Sequence, residues 1–241
     1  MIDYRKQLYD KYNSTFKQQF LNFSKEVIEA EWKTYEYKYL PLIKSYNKNS
    51  SILELGCGRG IMLEFLKDNG FKNTFGIDIS EEQIKIALEK NLNVKKYDVF
   101  DFFRESKNTY DIIIALDFVE HFNKDEIILI FNLIFEHLND GGIFIFHTPN
   151  GQAMLSNRLL FSDLTHLTIF TPYSAQQLLK YVGFNSISIY EKGPVPKNLK
   201  GIVRSILWWC IKIIYNFLYM IETGRTEKIL TQNFIVAAKK S

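Results

Sequence analysis

With 241 residues, 46% hydrophobic and 24% charged, the chain is long enough for one large domain with its own core. A formal charge of +3, carried mostly by Lys with only six Arg, disfavours a dedicated phosphate-reading surface, and no nucleic-acid partner is expected. Cys57 and Cys210 make neither a disulfide framework nor a metal spacing, and the first fifteen residues hold no apolar signal core, so a reduced, cytoplasmic protein is expected.

Residues 1–48 read as an N-terminal helical cap. Phe20, Phe23, Val27 and Ile28 share one face, followed by Trp32, Tyr35, Tyr39 and Leu40. Residues 49–241 read as the main domain. Strands are expected at Ile52–Leu55, Thr74–Ile79, Asn93–Tyr97, Tyr110–Leu116 and Gly142–His147, with helices at Gly60–Asn69, Glu81–Asn91 and Lys124–Leu138. That alternation predicts a parallel sheet with helices on both faces. Residues 148–173 are irregular and too long for an ordinary connection. A helix over Ser174–Val182, with Thr171 or Ser174 as its cap, and a strand over Phe184–Tyr190 come next. Residues 192–231 form an insertion with an apolar helix at Ile206–Ile221, and Gln232–Ala238 is the last strand.

The apolar helix leaves three readings open. Its polar residues Lys212 and Asn216 share one face, and the remainder is apolar nearly all round, which reads as buried under the core or in a homodimer seam. It can instead lie in a membrane interface, with Trp208, Trp209, Tyr215 and Tyr219 at headgroup level. A true span needs roughly 20 apolar residues and leaves no route back to the last strand.

Chemistry concentrates at strand ends. Ile52-Leu53-Glu54-Leu55-Gly56-Cys57-Gly58-Arg59-Gly60 is a buried strand running into glycines that let a ligand approach the backbone. It is neither the dinucleotide fingerprint, since Ile61 takes the sixth position, nor a P-loop. Asp78, ending the next strand 22 residues after Gly56, suits a ribose diol, with a helix cap as its alternative; Ser80 is better placed for that cap. Asp98 can accept from an adenine amino group, with Val99 and Phe100 as apolar walls, or be a surface turn acid. The fourth strand delivers Leu116, Asp117, Glu120 and His121 to the carboxyl edge of the sheet, where open α/β folds bind ligands.

The ordered set ELGCGRG, GIDIS, YDVFDFF, DIIIALDFVEHF and GGIFIFHTPN resembles the class I S-adenosylmethionine-dependent methyltransferases. Within them it resembles the branch of ubiquinone-biosynthesis O-methyltransferases and bacterial surface-polysaccharide methyltransferases. The resemblance covers about residues 50–190 and implies a Rossmann-like α/β sheet of seven strands, the last one antiparallel. It implies that Glu54, Gly56, Gly58 and Gly60, with Cys57 in the same turn, surround the methionine end of the cofactor. Asp78, with Ile79 beside it, would hold the ribose, Asp98 and Val99 the adenine, and the Leu116 carbonyl would face the methionine amino group. Asp163–Ser174 is similar to the segment that closes over the acceptor in that branch. The long insertion before the last strand departs from a compact family member.

The resemblance implies methyl transfer from S-adenosyl-L-methionine, leaving S-adenosyl-L-homocysteine. The acceptor expected is a hydroxyl of a sugar or carbohydrate-pathway intermediate in surface-polysaccharide synthesis. The rivals are a lipid-linked phenol, such as a quinone precursor, and a non-catalytic cofactor-binding scaffold. The expected location is the cytoplasm, with attachment to the inner face of the membrane left open. A hydroxyl acceptor benefits from a base, and His121 ranks first, with His166 second. His166 alternatively pins its loop to a carboxylate such as Asp163, and Glu120 either orients His121 or caps the next helix. His137 and His147 read as structural, and no metal site is expected.

Overall fold

A computed structural model describes residues 4–11 and 24–241. Phe20 and Phe23 lie outside the described residues. In chain order the helices are α1 (Tyr4–Asp10), α2 (Lys25–Lys38), α3 (Leu40–Ile43), α4 (Ile61–Asp68), α5 (Glu81–Glu89), α6 (Val99–Glu105), α7 (Lys124–Glu136), α8 (Asn157–Phe161), α9 (Pro172–Val182) and α10 (Leu199–Thr223). The strands are β1 (Ile52–Leu55), β2 (Thr74–Asp78), β3 (Val94–Lys96), β4 (Tyr110–Leu116), β5 (Leu138–Pro149), β6 (Ser186–Glu191) and β7 (Asn233–Lys239).

Apolar runs such as Tyr110–Leu116 have no polar alternation because both faces are covered, as in the interior of a parallel sheet. The seven strands lie in the order β3-β2-β1-β4-β5-β7-β6. Pairings β3–β2, β2–β1, β1–β4 and β4–β5 are parallel, whereas β7 runs antiparallel to both neighbours. The Rossmann-like α/β arrangement with an antiparallel last strand is therefore as expected. The strand order reverses at β1/β4, and ligands of open α/β sheets sit at such a switch point, beyond the carboxyl ends of the strands.

One face of the sheet is closed by a cluster including Leu53, Ile113, Phe131, Phe144, Phe146 and Phe234. Tyr35, Tyr39 and Ile43 bury themselves on the other face with Met62, Phe65, Ile112 and Ile145, so the helices α2 and α3 share the main core. Trp32 and Leu40 are partly buried against that cluster, while Val27 is exposed.

Three local expectations are corrected. No helix was expected directly after β3, yet Val99 and Phe100 open α6, whose first turn Asp98 caps by accepting from the Phe100 N–H at 2.8 Å and the Asp101 N–H at 3.3 Å. Ser80 stands at the start of α5 without making a side-chain cap. Thr171 and Ser174 are not alternative caps of α9, since both take part in one capping box.

The segment after β5 is a closed loop. Asn150 bridges to Phe170, and the Gly151 N–H donates to the Phe170 carbonyl at 2.7 Å. The apolar helix runs further than its periodicity suggests, from an Asn198 cap to a left-handed Gly224. It is not buried. Ile206, Leu207, Ile214, Phe217 and Ile221 are all more than half exposed, so it covers neither the sheet nor the core clusters.

Candidate active site

The β1–α4 turn bends through Gly56, Gly58 and Gly60, all at positive φ. A Cβ at Gly56 would stand 2.5 Å from the Phe118 ring, and one at Gly60 2.3 Å from a Leu92 methyl, so the turn is conformationally and sterically reserved for glycine. Asp78 fixes its shape. One carboxylate oxygen accepts from the Gly58 N–H at 2.8 Å, and the other from the Ser80 N–H at 2.7 Å. The acid thus ties the glycine turn to the start of α5. Cys57 lies buried in the turn, its N–H donating to the Ile77 carbonyl. Glu54 is buried at the end of β1, and Ile79 is exposed beside Asp78.

One residue that the sequence did not single out borders this corner, beside Ser80. Gln83, on the first turn of α5, is 1% exposed, and among the described residues neither end of its side-chain amide has a hydrogen-bond partner; the buried Ser80 hydroxyl lacks one there as well. A buried amide left unmatched costs free energy, which is a signature of a site completed by a ligand. In the sequence Gln83 is one polar residue on a helix, with no motif to mark it.

β4 ends in a second bend. Leu116 is half-buried, and Asp117 adopts φ +46°, a strained position for a residue other than glycine. The Asp117 carboxylate lies 2.9 Å from His147 Nε2. His147 is buried between Asp117, the Tyr39 hydroxyl and Lys192, the last at 2.9 Å, and its burial lowers its pKa. It holds the ends of β4 and β5 together, in line with a structural reading. His137 caps α7, with its ring nitrogens facing the Leu133 and Ser106 carbonyls.

The 3-10 turn Val119–His121 presents the leading base candidate. His121 Nδ1 meets Thr165 Oγ1 at 2.8 Å, and that hydroxyl donates to Asp163 at 2.6 Å. Because the Thr165 proton points to Asp163, its oxygen accepts from His121 Nδ1–H, and the ring keeps its lone pair on Nε2. Desolvation, reinforced by the charge of His166, lowers the His121 pKa to about 4. The two imidazoles stand 5.0 Å apart, centre to centre. His166 is fixed through Nδ1 on the Leu160 carbonyl at 3.2 Å, whereas Asp163 engages Thr165.

Glu120 is 2% exposed, and its burial and the nearby Asp117 charge hold its carboxyl well above the usual range. One of its oxygens accepts from the Thr148 hydroxyl at 3.1 Å, and its backbone carbonyl accepts from the Leu167 and Thr168 N–H groups. It does not cap α7; Asn123 and Glu126 form that capping box. Among the described residues, Glu120, His121 and His166 bring one ligand atom each within 4.8 Å of one another, a donor set able to hold a cation. Glu120 and His121 are adjacent but His166 comes about 45 residues later, so the set could not be read from any spacing in the sequence.

α1 closes the flank. Arg5 makes two 2.7 Å bonds to the Glu126 carboxylate, and the Tyr9 ring packs edge-on 5.9 Å from His121. The structure therefore gathers two neighbourhoods at the carboxyl edge of the sheet. One is the glycine corner with Asp78, and the other is the His121 cluster beneath residues 163–168. Asp98 keeps its place at the end of β3, with one oxygen engaged in capping α6.

A family model for the methyltransferase domain matches residues 31–189, well over half of the chain. The chain belongs to the methyltransferase-domain family. Among curated relatives of this chain, the cyclopropane-fatty-acyl-phospholipid synthase of Escherichia coli is 27% identical over 97 residues, covering 40% of this chain and 25% of that protein. The ubiquinone biosynthesis O-methyltransferase of Hydrogenovibrio crunogenus is 32% identical over 80 residues, covering 31% of this chain and 33% of that protein. The matched regions thus span a quarter to a third of those relatives. A SAM-dependent methyltransferase from Archaeoglobus fulgidus superposes with a TM-score of 0.69 at 23% identity, covering 95% of this chain and all of that one, a likeness of fold.

Proposed function

We propose that this protein is an S-adenosyl-L-methionine-dependent O-methyltransferase acting on a hydroxyl of a sugar or carbohydrate-pathway intermediate. The observation that carries the cofactor reading is the corner in which Asp78 braces Gly58 and Ser80 at the end of β2. An acid at the end of the second strand suits the two hydroxyls of a ribose, and Asp78 stands there, set in place by the Gly58 and Ser80 N–H groups. The Gln83 amide and Ser80 hydroxyl supply polar groups that a nucleoside would satisfy. Gly56 and Gly58 keep the backbone bare where the methionine end would lie, with Glu54, Cys57 and Gly60 around it, and Leu116 across the switch point. Ile79 and Val99 offer apolar contact to the nucleoside, and Asp98 has one carboxylate oxygen beyond its cap for the adenine.

Bound S-adenosyl-L-methionine supplies an electrophilic methyl on a sulfonium that departs as a neutral thioether, so no general acid is required. The protein aligns acceptor oxygen, methyl carbon and sulfur, and orientation alone supplies several kcal/mol. His121 Nε2 takes the acceptor hydroxyl proton, and the Thr165–Asp163 pair holds the imidazole in that tautomer. His166 is the second contact for the acceptor. Residues 148–173 cover it, and residues 192–231 are an insertion on the same domain.

The preference for a carbohydrate rests on resemblance of branch. A lipid-linked phenol is the second reading, favoured by the exposed apolar helix α10. Incubation with methyl-labelled cofactor and separate panels of nucleotide sugars and phenols divides the two. Label transfer to a sugar supports the first reading; transfer to phenols alone replaces it with the second. Cofactor binding without transfer to any acceptor favours a scaffold.

A further inference from the structure

A helix docked on a soluble protein ordinarily turns its apolar face inward and its polar face to water. α10 does the reverse. Its inward stripe is Ser205, Trp208, Lys212, Tyr215, Asn216 and Tyr219, all partly covered. Polar groups make the attachment. Lys212 bonds Glu191 at 2.8 Å, while Asn216 accepts from the Glu227 N–H at 2.7 Å and donates to the Glu227 carbonyl at 3.1 Å. At 100° per residue this stripe is about 100° wide. Trp209, Ile213, Ile206, Phe217, Ile214 and Leu207 follow one another around the outer surface, giving an apolar arc of about 160° without a charge.

We propose that this arc is the seat of the protein on an anionic membrane surface, with α10 lying in the interface plane between bilayer and protein body. The 25 residues give a helix of about 37 Å, long enough for a span, but its midpoint is fastened to charged groups of the body. Spanning would carry Glu191, Lys192, Glu227 and Lys228 into hydrocarbon or break those bonds. The in-plane position keeps them and immerses the outer arc.

Charge selects the surface. Residues 191–228 hold seven Lys and Arg against three Glu, a surplus of four in a chain whose total is +3. Lys197, Lys200 and Arg204 flank the start of α10, and Arg225 and Lys228 its end, the arrangement that anionic headgroups attract. A second copy would cover one side of the helix, whereas lipid reaches the whole arc. Pro196, Ile202, Ile206 and Trp209 also line a shallow apolar groove of about 290 Å3 at the helix base, of a kind an acyl chain can occupy.

Cys210 makes the test direct. It is exposed on the outer arc, and the other cysteine, Cys57, is buried. The full chain labelled at Cys210 with an environment-sensitive fluorophore is mixed with vesicles of phosphatidylcholine, with and without phosphatidylglycerol. Flotation of the unlabelled chain is measured in parallel, together with an Ile214→Glu/Phe217→Glu double variant, whose folding is checked by its unchanged Tm. The seat predicts a blue-shifted label shielded from aqueous quencher and flotation that requires phosphatidylglycerol and weakens with salt. It also predicts a loss of more than about tenfold in the double variant. No flotation, or equal flotation of the double variant, overturns the proposal. So does a dimer in the absence of lipid that the double variant dissolves, which would assign the arc to a second copy.

Discussion

Gly56 combines a backbone at φ +66° with a ring against its α-carbon, so Gly56→Ala incurs both left-handed strain and a clash with Phe118. The expected cost is about 1–3 kcal/mol, a fall in Tm of roughly 2–10 °C, together with weakened cofactor binding. Thermal melts with and without S-adenosyl-L-homocysteine check this; an unchanged Tm would mean that the turn is not reserved for glycine. His121 makes both stability and turnover depend on pH. An imidazole ordinarily titrating near 6.5 and held at about 4 is neutral through the physiological range. Between those values the unfolded chain binds a proton that the folded one refuses, so stability falls as pH drops through 6.5 toward 4. Urea melts across that window should show a shallower slope in His121→Ala. As a base, His121 should also place the acid limb of kcat near pH 4, and a limb near 6.5 would point to another group. The sequence displayed the Gly56 and Asp78 pattern because both belong to one local strand-helix-strand unit, β1–α4–β2. It could not display the His121–Thr165–Asp163 chain, whose members are brought together by tertiary closure across more than 40 residues.

At the scale of elements, α1 matters beyond its seven residues. Arg5 ties it to Glu126, which also completes the cap of α7, and Tyr9 stands against His121. Arg5→Ala should loosen α1, hydrate His121 and raise its pKa from about 4 toward 6.5, readable by NMR titration of the ring. An unchanged value would show that burial comes from residues 163–168 alone. Long apolar strands and amphipathic helices were legible because burial on both faces or on one face leaves a period in the sequence. α6 was not, because seven residues headed by a capping Asp resemble a strand end followed by a turn. α10 was legible in type but not in length or placement. Apolar nearly all round, it left core, dimer seam and membrane interface open; in the fold its polar stripe attaches it to the body and its apolar arc faces outward.

Over the whole molecule, the order of strands brings the ends of β1, β2 and β4 to one edge, so the proposed cofactor corner and the proposed base are neighbours by topology. A ligand that binds only the folded state should raise Tm in proportion to the logarithm of its excess. At about 100 times Kd the added stability is roughly 2.7 kcal/mol. If the glycine turn and Asp78 jointly hold the methyl donor, calorimetric titration of the full chain with S-adenosyl-L-homocysteine reads that grip. Saturable one-to-one binding is expected, weakening about 10–100-fold in Asp78→Ala. Absence of saturable heat in the unaltered protein, or equal affinity in Asp78→Ala, would contradict it.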